Sequence, residues 1–144
     1  MTDTLKIKVK VSNTDPDIPL GLEVWVDDQC VTNIEHVTES VTECEVPDTD
    51  GNRELRIVMK NKLAEHTVID ADNNIVQDAL LAVDLIEFDE INVTDIFIMQ
   101  SEYTHSFNGP GEAITNRCYG QMGCNGTVSF KFSTPFYLWL LETL

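Results

Sequence analysis

An all-β fold, two antiparallel sheets stacked as a jelly-roll-like β-sandwich with a short C-terminal helix, follows from three observations. Apolar and polar residues alternate with period two along much of the chain. Turn signals rich in Asp, Asn, Pro and Gly interrupt that alternation at short intervals. No long segment carries a 3.6-residue period. The 144 residues read as one domain, 1–144, long enough to bury a real core. No internal repeat or linker divides them.

The elements follow in order. Leu5, Ile7, Val9 and Val11 alternate with Lys6, Lys8 and Lys10, giving one dry face and one wet face. The lysines suit an edge strand guarded against self-pairing. Asp15-Pro16-Asp17 and Pro19 make a loop. Leu22, Val24 and Val26 alternate with Glu23 and Trp25, and Asp27-Asp28 turns the chain into a strand at residues 29–32. Residues 41–46 form a short strand. The run from Pro47 to Asn52 is a strong turn signal, and its Asp50-Gly51 pair favours a hairpin. Leu55, Ile57 and Met59 mark the next strand. Residues 70–74 turn between Thr67-Val68-Ile69 and Ile75-Val76. Residues 79–88 and 93–100 read as further strands, the latter extended by 101–107. Gly109, Gly111, Gly120, Gly123 and Gly126 punctuate a loop region, and residues 127–133 form the last of about nine strands. A helix at residues 135–141 places Pro135 at its first position and Thr134 as its cap.

Hydrophobic residues make up 42% and charged residues 24%, ordinary for a globular protein. The net charge of −16 is not ordinary. It repels the nucleic-acid backbone and anionic membranes, and it attracts basic partner surfaces and divalent cations. No apolar run reaches the roughly 18 residues that span a bilayer. Residues 1–6 hold no apolar signal-peptide core, so the expectation is a protein kept in a cytoplasm or assembled there into something larger. In that setting Cys30, Cys44, Cys118 and Cys124 are expected as buried thiols. Cys118 and Cys124 are loosely spaced for zinc.

Candidate sites are few. Asp70, Asp72 and Asn74 place oxygen donors at alternate positions, a spacing that suits calcium, although Ile75 and Leu81 break the EF-hand pattern. The competing reading is a hairpin turn rich in Asx residues. Asp84, Glu87, Asp89, Glu90 and Asp95 offer paired carboxylates, but their alternation with Val83, Leu85, Phe88 and Ile91 marks the wet face of a sheet. His36, His66 and His105 are scattered, and no Ser or Cys sits in a nucleophile context. A non-enzymatic protein is expected. Trp25, Tyr103 and Tyr119 are candidate glycan platforms. Phe136, Tyr137, Trp139, Leu140 and Leu141 make the chain end apolar, which requires burial in the core or against a partner.

The segment Leu20-Gly21-Leu22-Glu23-Val24-Trp25-Val26-Asp27-Asp28-Gln29 resembles a strand and hairpin of small carbohydrate-binding β-sandwiches. Met59-Lys60-Asn61-Lys62, Thr67–Asp70, Asn74–Val76, Tyr103–Gly109, Gly123–Gly126 and Tyr137–Glu142 together resemble an uncharacterised family of contractile-tailed marine cyanobacterial phages. That resemblance spans nearly the whole chain and implies a virion-associated protein: a head decoration, neck or tail-fibre accessory assembled in the host cytoplasm. Its partners would be other virion proteins with basic surfaces, or further copies of itself. Residues 135–144 would then be dispensable for folding. The alternative is a calcium-assisted carbohydrate-binding module for host-surface glycans, similar to calcium-dependent carbohydrate-binding modules; otherwise no cofactor is expected.

Overall fold

The computed structural model describes residues 4–63, 66–105 and 114–143. The two expected antiparallel sheets are present. The first centres on β1 (Thr4–Asn13), which pairs on one side with β4 (Glu39–Pro47) and on the other with β8 (Leu81–Phe88). Two short strands, β9 (Ile91–Asn92) and β12 (Gln121–Met122), also pair with β8. The second sheet runs β11 (Ile114–Arg117), β10 (Glu102–His105), β13 (Gly126–Thr134), β5 (Gly51–Lys60), β2 (Gly21–Val26) and β3 (Gln29–Ile34). A separate hairpin joins β6 (Val68–Ile69) to β7 (Ile75–Gln77). The helices are α1 (Thr94–Gln100) and α2 (Phe136–Thr143). Neither is long and apolar enough to cross a membrane.

Period-two alternation makes the core. Leu5, Ile7, Val9 and Val11 of β1, and Ile86 and Phe88 of β8, meet Leu55, Ile57 and Met59 of β5 and Val128, Phe130 and Phe132 of β13. Each such side chain contributes roughly 1.5–3 kcal/mol by leaving water. Gly126 permits the last step of packing, because a Cβ there would collide with the Thr104 carbonyl oxygen across the β10–β13 ladder.

Four sequence expectations change. The lysine strand is central rather than an edge, and its lysines are held between acidic rows: Lys6 faces Glu45, and Lys8 faces Glu43 and Glu87. The Asp50-Gly51 turn does not close a hairpin, since β4 and β5 belong to different sheets. Residues 94–100 are helical. Ile96 and Ile98 look strand-like in sequence, but a helix buries Phe97 against Phe130 at 5.4 Å, with Val93 buried just before it. The Thr94 hydroxyl also accepts the Ile86 amide at 3.0 Å, tying the helix start to β8. Strand β10 begins afresh at Glu102; residues 106 and 107, with Gly109 and Gly111, lie outside the described residues. Cysteine burial is also mixed, with Cys118 buried, Cys44 and Cys124 half-buried and Cys30 exposed.

The apolar chain end divides between two environments. Phe136 is fully buried, 5.3 Å from Phe88, and Trp139 stands edge-on to Phe130 at 5.8 Å and to Phe132 at 6.1 Å. The helix cap is not Thr134, which belongs to β13 and directs its hydroxyl to the Thr49 carbonyl. Asp48, from the turn between the sheets, accepts the Phe136 amide at 2.8 Å instead. Phe136 and Trp139 therefore belong to the core, so α2 is not a tail independent of it, while Tyr137, Leu138 and Leu141 stay exposed. Phe136→Ala should cost about 3–5 kcal/mol in denaturant unfolding; a loss below about 1 kcal/mol would show that α2 is not integral to the core.

Candidate functional site

Residues that alternate with the core of the second sheet face outwards, and ladder pairing aligns them across strands. One row runs Arg117, Glu102, Ser129, Arg56, Trp25. The row beside it runs Thr115, Thr104, Thr127, Val58, Glu23. Four strand steps place Arg117 and Trp25 roughly 19 Å apart.

The side chains between them form two polar groups. The Thr104 and Thr115 hydroxyls lie 3.1 Å apart. Ser129 donates to Glu54 Oε2 at 2.5 Å, and Glu54 Oε1 is 3.4 Å from Arg56 Nε. Trp25 donates its Nε1–H to Glu23 Oε1 at 2.8 Å, and the Arg56 guanidinium lies 5.2 Å from the Trp25 ring centre. Lys60 then joins Glu23 at 3.4 Å to Glu35 at 3.1 Å and Asn33 at 2.6 Å. Hydrogen bonds from Lys60 and then Asn61 hold the Glu35 carboxyl below its usual range. Beyond the other end of the row, Tyr119 is 74% exposed with the Arg117 guanidinium 5.6 Å from its ring centre. Carboxylates, hydroxyls and guanidinium groups flanked by aromatic rings can bind a polyhydroxylated chain by hydrogen bonding and stacking.

The expected platforms fare differently. Tyr119 presents an open ring, and Trp25 is half-buried on the same sheet. Tyr103 offers none: it is 7% exposed, faces the core side, and its hydroxyl bridges the Cys124 amide and carbonyl. Burial pushes that hydroxyl far above the usual tyrosine range. Of the carboxylates at 84–95, Asp89 is engaged in the backbone, its Oδ1 accepting the Lys6 amide at 2.8 Å. Glu87 and Glu90 line a cleft of about 720 Å³ with Lys6, Lys8, Glu43 and Glu45, where acid and base residues interleave.

The expected calcium turn at Asp70, Asp72 and Asn74 closes on itself. Asp70 Oδ1 accepts the Asp72 amide at 2.9 Å and the Asn74 amide at 3.0 Å, and Asn73 adopts the left-handed φ of 63°. Calcium takes six to eight oxygens. Among the described residues no three His, Cys, Asp or Glu side chains converge to hold a metal. This turn alone does not fit the ion.

A cation is nonetheless buried nearby, in a residue that sequence reasoning passed over. Lys62 follows β5 and its side chain is 0% exposed. Its Nζ donates to Asp78 Oδ1 and to the Gly123 carbonyl, both at 2.6 Å. Asp78 Oδ1 also accepts Thr67 Oγ1 at 2.8 Å and the Ala79 amide at 2.9 Å. The Lys62 backbone is clasped by Asn125, which accepts its amide at 2.9 Å and donates to its carbonyl at 2.7 Å. Burial raises the Asp78 carboxyl, but Lys62, Thr67 and Ala79 outweigh it and hold the group below its ordinary value.

A depressed carboxyl stabilises the fold above its unfolded pKa of about 3.9, and that stability is lost as pH falls through the folded value. Of the groups facing the pair, burial raises Cys124 and Tyr103, which stay protonated in that window, and His105 stacks on Tyr103 at 4.4 Å. Lys62→Met leaves Asp78 buried without its counter-ion and should cost about 3 kcal/mol at pH 7. The cost should shrink towards pH 4; urea titrations at both values measure it, and a pH-independent loss would refute the ion-pair account.

No family model matches the chain, and no curated protein matches it in sequence. Two solved structures share its fold. One is the selenomethionine form of the module vCBM60, whose description concerns a circular permutation linking two families of calcium-dependent carbohydrate-binding modules. It superposes with a TM-score of 0.54 at 16% identity, over 88% of this chain and 89% of that one. The other is vCBM60 in complex with galactobiose, with a TM-score of 0.50 at 19% identity, over 87% and 96% of the two chains. At such identities the likeness establishes the β-sandwich fold. Neither comparison supports the resemblance to phage proteins.

Proposed function

We propose that this protein is a non-catalytic carbohydrate-binding module, the alternative drawn from its sequence but without the calcium that alternative included. The observation that carries the reading is the outer face of the six-stranded sheet. There, hydroxyl, carboxylate and guanidinium side chains line two adjacent rows, interrupted by Val58, with Trp25 at one end and Tyr119 beyond the other. The sandwich shared with a module described in complex with galactobiose supports it. A sugar chain laid across the strands would hydrogen-bond to Glu23, Glu54, Thr104 and Ser129, and would stack at the ends.

Calorimetry with galactobiose and a panel of neutral oligosaccharides tests this. Binding should perturb tryptophan fluorescence, because Trp25 lies in one of these rows. Trp25→Ala and Tyr119→Ala should each weaken Kd roughly 5- to 30-fold, about 1–2 kcal/mol, with melting temperature nearly unchanged for Tyr119→Ala. Silence across the whole panel would end the reading.

A protein-contact role, such as that of a virion-associated accessory, rests on one separate observation. Helix α2 leaves Tyr137, Leu138 and Leu141 exposed, the last at 71%, on the side away from Phe136. The core half of the helix makes truncation uninformative here. Substituting Tyr137, Leu138 and Leu141 together with Ser spares Phe136 and Trp139. If the helix docks a second copy, wild type should elute as an oligomer in size-exclusion chromatography and the triple variant as a monomer. A wild type monomeric at every concentration excludes self-docking.

A further inference from the structure

We propose that the pocket formed by the Asp78 carboxylate, the Gly123 carbonyl and the Thr67 hydroxyl is a cation site filled from within. Its resident is the Lys62 ammonium, and this end of the sandwich therefore holds its loops without a divalent metal. Three independent segments converge on the pocket: the stretch after β5, the approach to β8, and the Gly123–Asn125 turn before β13. Their oxygens, carboxylate, carbonyl and hydroxyl, are hard donors of the kind calcium takes, a partial set that water would have to complete if the ammonium were removed. Here an ammonium with 0% exposure takes the carboxylate and the carbonyl at 2.6 Å each.

Charge balance makes the occupancy exclusive. One carboxylate faces one ammonium. A divalent ion at the same oxygens would place two cations beside a single anion in a space shielded from water, and their repulsion is strong at low dielectric. Asn125 also fixes the lysine's backbone beside the pocket, accepting from its amide and donating to its carbonyl. The self-closed Asp70 turn agrees, because its carboxylate oxygen serves its own amides.

Glycan binding is not required, and melting curves recorded without sugar are the test. Wild-type protein is melted in EDTA and in millimolar calcium, and the two curves should coincide. A structural site holding calcium at a thousand times its Kd would instead raise Tm by roughly 8–16 °C. Lys62→Ala empties the pocket while keeping its oxygens, so that variant should melt lower than wild type and recover part of the loss in calcium. A wild-type Tm that rises with calcium or falls with EDTA overturns the proposal. So does a folded Lys62→Ala chain that calcium leaves unmoved, since the pocket would then be a salt bridge and not a cation site. Should Lys62→Ala be unfolded, the wild-type comparison decides alone.

Discussion

A positive charge removed from water must be met by oxygen, and meeting it organises one end of this molecule. Lys62 sits where β5 leaves the sheet. Its ammonium fixes Asp78, which in turn fixes Thr67 and the entry to β8. Through Gly123 and Asn125 the same residue sets the turn that starts β13, and Tyr103 clamps the adjoining Cys124 backbone. Strands from both sheets are thus referenced to one buried atom. Asp48 has a matching role at the opposite end, where it caps α2 and holds Phe136 over the core. The sandwich is closed at its two ends by polar devices, and the hydrophobic core fills the space between.

The parts legible in the sequence were those governed by neighbours one or two residues away. Alternation in β1, β2, β5 and β13 depends only on which face of a strand is dry, so Leu5–Val11 or Leu55–Met59 could be read directly. Residues 94–100 failed because Ile96 and Ile98 also alternate, while the deciding contact, Phe97 on Phe130, spans the fold. Helix α2 is legible from its apolar run, but it spans Phe136–Thr143 with Pro135 before its first residue, and its cap comes from a residue 88 positions earlier, beyond any local rule. Lys62 was invisible for the same reason. Lysine in Asn61-Lys62-Leu63 reads as a solvated loop charge. Only Asp78, 16 residues on, and Gly123, 61 residues on, make its burial affordable.

Platform residues were half legible. Aromatic identity marks Trp25, Tyr103 and Tyr119 alike, yet exposure separates them. Tyr103 lies at an inward position of β10, between Glu102 and Thr104, and its hydroxyl is used internally. Tyr119 follows the end of β11 and escapes the alternation altogether. Arg56 beside Trp25 carries no sequence signal, because that pairing is a matter of cross-strand register.

The two outer faces also differ in what they can accept. On the first sheet Lys6 and Lys8 lie between Glu43, Glu45 and Glu87, so opposite charges already answer one another and no aromatic ring stands among them. On the second sheet three carboxylates, Glu23, Glu54 and Glu102, share the face with three cations, Arg56, Arg117 and Lys60, and here two aromatic rings flank the charges. The face itself is balanced, and the net charge of −16 of the whole chain is what disfavours anionic ligands. Carboxylates that accept hydrogen bonds suit ligands rich in neutral hydroxyl donors. Under the proposed glycan-binding reading, the electrostatics favours neutral sugars over anionic ones.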